Sequence, residues 1–185
     1  MAAQPVPLTI QDFHRLYDGA KPAYEYWFGV ATQKPMPTIL HGIVQFIIAT
    51  LLERAGWNVS LEVRLKVDPN AEPVPDVIAV RGKFKGAYPS EAPELCIEIL
   101  SPSDTFPRTL EKARRYIRWG SACVWMIDPE KRTAWTLSRD ASAFEAVTEP
   151  QWVSPTGVLR IGNTTIPLET LFSEVDKKLE ITDAP

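Results

Sequence analysis

Two acids in this sequence stand where apolar residues are expected. Glu98 lies inside Glu94-Leu-Cys-Ile-Glu-Ile-Leu100, and Asp76 lies inside Val74-Pro-Asp-Val-Ile-Ala-Val80. A lysine, Lys112, follows in a stretch with helical spacing. An ionised carboxylate in an apolar setting is costly unless a partner, a bound cation or a raised pKa relieves it. Carboxylates are also the hard oxygen ligands that Mg²⁺ or Mn²⁺ prefers, and Mg²⁺ commonly takes one or two of them while keeping waters and substrate phosphates. The backbone carbonyl of Ile99 is a third candidate oxygen. An ion held by Asp76, Glu98 and Ile99 would polarise a phosphodiester and help generate hydroxide, with Lys112 orienting the water or stabilising developing charge. The same residues admit a structural reading, in which Glu98 and Lys112 or an arginine form an ion pair in the core.

The elements that must position these groups are legible from periodicity. Leu95, Ile97 and Ile99 alternate with Cys96, Glu98 and Leu100, which predicts a central strand covered on both faces. A second buried strand is expected over 74–80 and a third over 122–128. The stretch 58–67 shows unbroken alternation of Val59, Leu61, Val63, Leu65 and Val67 with polar residues and predicts a strand with one wet face. Phe106 to Trp119 reads as a helix entered through Pro107, with Leu110, Ala113 and Ile117 as its core stripe and Lys112, Tyr116 and Trp119 along one margin. Ser101 and Ser103 just before it are expected to cap it rather than to touch a substrate. Thr38 to Ala55 predicts a long helix apolar almost all round. His41 and Gln45 share a face of it and can point towards the acids, although a hydrogen-bonded histidine at a core margin reads equally well.

The remaining segments read as a short helix from Leu8 to Tyr17, a strand or hairpin arm over Tyr24 to Val30 containing Glu25, strands over 133–138 and 144–148, a hairpin around 157–167 and a helical turn from Leu168. The fold class expected is α/β (α+β), a mixed β-sheet flanked by helices, in one domain over 1–185.

Composition narrows the function. The 185 residues are 45% hydrophobic and 23% charged, the balance of a globular protein, and a net charge of −3 argues against a sequence-independent nucleic-acid coat. Basic residues are nevertheless concentrated at Arg108, Lys112, Arg114, Arg115 and Arg118, and again at Arg81, Lys83 and Lys85, which suits a phosphate-bearing substrate and reads equally well as solvated helix and loop faces. No apolar run is long enough to span a membrane and the start has no leader pattern, so a cytoplasmic protein is expected. Cys96 and Cys123 sit in apolar runs and are expected to be buried thiols.

The stretches Pro75-Asp76-Val77, Pro93-Glu-Leu95, Glu98-Ile-Leu-Ser-Pro-Ser103, Lys112-x-x-x-Tyr116-x-x-x-Gly120 and Trp125-Met-Ile-Asp128-Pro129, in that order, together resemble the Uma-two family of restriction-endonuclease-like proteins. Tyr24-Glu25 is similar to that family's Tyr-Glu pair, and His41-Gly42 to its helix-start histidine. The resemblance implies a restriction-endonuclease-like fold and a Mg²⁺- or Mn²⁺-dependent DNA endonuclease. Asp76 and Glu98 would be metal ligands, and Lys112 would replace the superfamily lysine, whose usual position two residues after the glutamate is Leu100 here. Glu25 and His41 join as further site residues. A homodimer suits the cutting of two strands. A catalytically silent binding or assembly module of the same fold is the alternative, and a hydrolase of small phosphate esters is a third.

Overall fold

A strand that is apolar on both faces must be sandwiched, and the Leu95–Ile99 strand decides the architecture in that way. A computed structural model describes residues 7–139 and 149–179. Its elements in chain order are α1 (Ile10–Tyr17), β1 (Tyr24–Trp27), β2 (Val30–Gln33), α2 (Ile39–Arg54), β3 (Asn58–Leu61), β4 (Ala71–Glu72), β5 (Val77–Val80) and β6 (Leu95–Ile99). They continue with α3 (Phe106–Trp119), β7 (Cys123–Asp128), β8 (Thr133–Ser138), β9 (Gln151–Val153), β10 (Val158–Ile161), β11 (Thr164–Pro167) and α4 (Leu168–Asp176). The expected strand over 144–148 lies outside the described residues.

Six strands form one mixed sheet in the order β3-β5-β6-β7-β8-β9, with β6 and β7 parallel and the other neighbours antiparallel. One face carries Leu95, Ile97, Ile99, Trp125 and Ile127 against α2 and α4. The other carries Ile78, Cys96, Val124 and Met126 against α3. Each such side chain taken fully out of water contributes roughly 1.5–3 kcal/mol, so the sheet and its two helical layers cohere as the predicted α+β arrangement. The hairpin β1-β2 pairs with β4 in a separate three-stranded sheet, and β10-β11 forms a two-stranded one.

The hairpin turns through Phe28 and Gly29, at φ 47° and 88°, the pair of left-handed conformations of a tight primed turn. Thr9 caps α1 by accepting from the Asp12 N–H, as its type and position imply. Three expectations are corrected. The ladder of the 58–67 strand stops at Leu61, where Glu62 takes a left-handed φ of 55°. Past the Glu62 N–H to Asp76 carbonyl bond, the Val74 N–H that would continue the ladder goes to Glu25, and the line resumes at the Leu65 N–H to Pro73 carbonyl bond, for which Pro73 has no N–H to return. Leu65 is still fully buried, which is what its alternation recorded. The buried face of α3 runs through Thr109, Ala113, Tyr116 and Ile117, with Leu110 only half-buried, so the helix is rotated towards Tyr116 and carries Lys112 inwards. Finally, Thr105 occupies the N-cap of α3 without a side-chain bond, and neither Ser101 nor Ser103 caps it.

Candidate active site

Strand register brings the acids together. β5 and β6 pair antiparallel with Val77 opposite Ile97, so one step further Asp76 comes opposite Glu98. β3 and β5 pair with Leu61 opposite Val77, and the next step sets Glu62 opposite Asp76, where the Glu62 N–H donates to the Asp76 carbonyl at 3.2 Å. Three acids from three neighbouring strands therefore form a row at one end of the sheet. Residues opposite each other on paired strands are neighbours through their side chains, which is the physical basis of the cluster.

Asp76 is 2% exposed. Its Oδ2 accepts the Ile99 N–H at 2.7 Å, and its Oδ1 accepts from Lys34 Nζ at 2.8 Å, with His41 Nε2 at 3.5 Å. Glu98 Oε2 accepts from Lys112 Nζ at 2.8 Å and Oε1 from the Tyr116 hydroxyl at 2.7 Å. Lys112 bridges onward to Glu25 Oε1, also at 2.8 Å. Glu25 is held by the Val74 N–H at 3.0 Å and the Trp27 indole N–H at 3.0 Å. The Glu98–Lys112 pair foreseen from the sequence is thus part of a longer chain, Tyr116 to Glu98 to Lys112 to Glu25.

α2 contributes from the side. His41 stands in its first turn, Nε2 towards Asp76 and Nδ1 3.2 Å from the Ser101 hydroxyl, so Ser101 positions a histidine instead of capping a helix. Gln45, one turn on, donates to the Asp76 carbonyl at 2.9 Å and to Glu62 Oε1 at 3.2 Å. Both side chains face the acids, as their i,i+4 spacing suggested. Ser103 lines the cavity that opens beside these acids.

The electrostatics divide the acids. Burial works against ionisation of Asp76, yet His41 and Lys34 hold its carboxyl well below the usual carboxylate range. Burial, opposed by Lys112 and reinforced by the charges of Asp76 and Glu25, pushes Glu98 up to about 7. Glu25 is buried as well, but Lys112 and its two N–H donors bring it below its ordinary value. Burial would strip the proton from Lys112, and Glu25 and Glu98 reverse this, so its ammonium is held above the ordinary lysine value. Lys34 is raised in the same manner, chiefly by Asp76 against burial. Both lysines therefore stay protonated near neutrality.

A cavity of about 720 Å³ opens over the row, lined by Glu25, Lys34, His41, Asp76, Glu98, Ile99 and Lys112 among others. Every residue nominated from the sequence reaches it. The basic rim is thinner than expected. Arg108 and Lys112 line the cavity, whereas Arg114 pairs with Glu149, Arg115 pairs with Glu111 and stacks over Phe28, and Arg81 stacks over Trp57. Two functional candidates have no sequence signal of their own: Lys34, just past β2, and Glu62, whose alternating context marked it as a wet-face residue. Only the strand pairing discloses them.

The donor chemistry fits a divalent ion. Four carboxylates, Glu25, Glu62, Asp76 and Glu98, share two ammonium groups, those of Lys34 and Lys112. Single ligand atoms of His41, Glu62 and Asp76 lie within 4.8 Å of one another, close enough to share an ion.

No curated protein matches the chain. A crystal structure described as "a putative nuclease belonging to DUF820" from Anabaena variabilis ATCC 29413 superposes with a TM-score of 0.75 at 23% identity, covering 91% of this chain and 99% of that one. At that identity the likeness establishes the fold. The family model described as "Uma2: Putative restriction endonuclease" matches residues 10–169, and the chain belongs to that family.

Proposed function

We propose that this protein is a Mg²⁺- or Mn²⁺-dependent DNA endonuclease acting as one restriction-endonuclease-like domain over residues 1–185. The observation that carries the reading is the row Glu62–Asp76–Glu98 at the floor of a cavity whose carboxylates outnumber its ammonium groups. Asp76 and Glu98 are the ion-holding carboxylates, and the Ile99 carbonyl is the third oxygen. A bound ion supplies charge neutralisation at the phosphodiester and favours hydroxide over water at the site.

The chain's own groups do the remaining work. Lys112 stays charged and offsets the negative charge that grows on phosphorus-bound oxygens as the water oxygen bonds to phosphorus and the ester P–O bond breaks. Glu25 and Tyr116 keep Lys112 and Glu98 in place by direct bonds. His41, steadied by Ser101, holds Asp76 from α2. Arg108 at the cavity wall provides a cation for a neighbouring phosphate. Two-strand cleavage would be served by a homodimer, which light scattering on the purified protein tests.

The decisive experiment is calorimetric titration of Mn²⁺ into the wild type and Asp76→Asn, with plasmid nicking measured on the same samples. Binding and EDTA-sensitive nicking in the wild type, both lost in the variant, is the expected result. Absence of binding in both proteins refutes the reading. It would favour a silent assembly module, for which the complete internal pairing of Glu98 and Lys112 speaks.

A further inference from the structure

No motif singles out Lys34, but its ammonium is surrounded by oxygens. Nζ lies 2.8 Å from Asp76 Oδ1, 2.9 Å from Glu62 Oε2 and 3.0 Å from the Val74 carbonyl. Two carboxylates and a carbonyl around one positive centre are the donors that a hard divalent ion also takes. The other oxygen of Asp76 is engaged by the Ile99 N–H, so an ion drawn to Asp76 meets Lys34 at Oδ1. Two cations at such a separation in a part-buried setting repel strongly.

The surrounding chain is arranged to let one of them leave. The Lys34 N–H is bound to the Ala23 carbonyl at 2.8 Å, which anchors the backbone, so that release needs only a rotation of the long side chain. The cavity beside it gives the ammonium somewhere to go. Glu62, which bonds Lys34, stands where its strand ends in a left-handed conformation, a costly backbone state for a glutamate that persists when the surroundings enforce it.

We infer that Lys34 is a displaceable internal cation: its ammonium fills the position made by Glu62, the Val74 carbonyl and Asp76, and a divalent ion entering the site releases it into the cavity. The inference rests on the metal-dependent reading above and extends it by two residues, Lys34 and Glu62. The released ammonium then faces the space where a substrate phosphate would lie, so loading the site both installs one cation and presents another. Lys112, anchored between Glu25 and Glu98 on the middle of α3, stays where it is.

Acylation of the wild-type protein with an N-hydroxysuccinimide ester, with and without Mn²⁺ and read by peptide mass spectrometry, tests the release directly. It is run beside Mn²⁺ calorimetry on the wild type, Lys34→Met and Glu62→Gln. Saturating Mn²⁺ should raise labelling of Lys34 severalfold and leave Lys112 unchanged. Lys34→Met should bind Mn²⁺ about tenfold more tightly, because a competing charge is gone, and Glu62→Gln should bind it more weakly. Unchanged or reduced labelling of Lys34 while calorimetry shows the ion bound overturns the inference and leaves the metal-dependent reading standing. No heat of binding in any of the proteins overturns both. The labelling arm uses the wild type alone, so it remains decisive if a variant fails to fold.

Discussion

Replacing Lys112 by methionine should unfold this protein at a markedly lower temperature. The side chain is 12% exposed, and its ammonium lies 2.8 Å from both Glu25 and Glu98, which are themselves 3% and 6% exposed. Methionine keeps most of the volume and removes the charge, so two buried carboxylates lose their shared partner. Breaking a buried pair in this manner typically costs about 3–5 kcal/mol. For a chain of this size each kcal/mol shifts Tm by about 2–4 °C, so the expected drop is roughly 6–20 °C. Glu98 has an escape, since it already sits up at about 7 and takes a proton readily once Lys112 is gone. The loss should therefore be smaller at pH 5.5 than at pH 8. Urea unfolding followed by circular dichroism at both pH values measures it. A loss below about 1 kcal/mol at pH 8, or equal losses at the two pH values, would refute the claim that Lys112 neutralises a buried acid pair.

Four other outcomes are expected. Between the ordinary carboxylate value of 4.5 and about 7, native Glu98 keeps a proton that the unfolded chain has released. Its contribution to stability thus falls as pH rises through that window, and the unfolding free energy of the wild type minus that of Glu98→Gln should decline from pH 4.5 to 7. The ion competes with the same proton, so Mn²⁺ affinity by calorimetry should rise by up to about tenfold per pH unit below 7 and level off above it; a flat profile would remove Glu98 from the ligand set. Burial pushes the Cys96 thiol up to about 12 and raises Cys123 as well, so neither should react with a disulfide reagent at pH 8 until the protein is denatured. Gly120 ends α3 at φ 133° with an added Cβ 3.3 Å from Ala92 Cβ, and Gly120→Ala should cost about 1 kcal/mol or more in a thermal melt.

Local pattern determined a large part of this molecule. Alternation in Leu95 to Ile99 and the 3.6-residue spacing of Phe106 to Trp119 are properties of contiguous residues, and both elements formed where that spacing put them. The anomaly of an acid within an apolar run likewise belongs to the run itself, which is why Asp76 and Glu98 stood out before any contact was visible. Lys112 and the His41–Gln45 pair followed from the geometry of a single helix. The end of β3 after Leu61 was not legible, because the Val74 N–H that would continue its ladder is taken by Glu25, a residue far away in the chain. Ser101 was misjudged for the same kind of reason: its partner, His41, is brought to it by the packing of α2 against the sheet. Lys34 and Glu62 carry ordinary side chains in ordinary local contexts. Their significance arises when the register of β3 on β5 and the path of the chain beyond β2 set them around Asp76. Periodicity reports which side of an element is buried, whereas the partner across a strand or a cavity is chosen by pairing and packing between segments far apart in the chain, and that choice was made only in the folded structure.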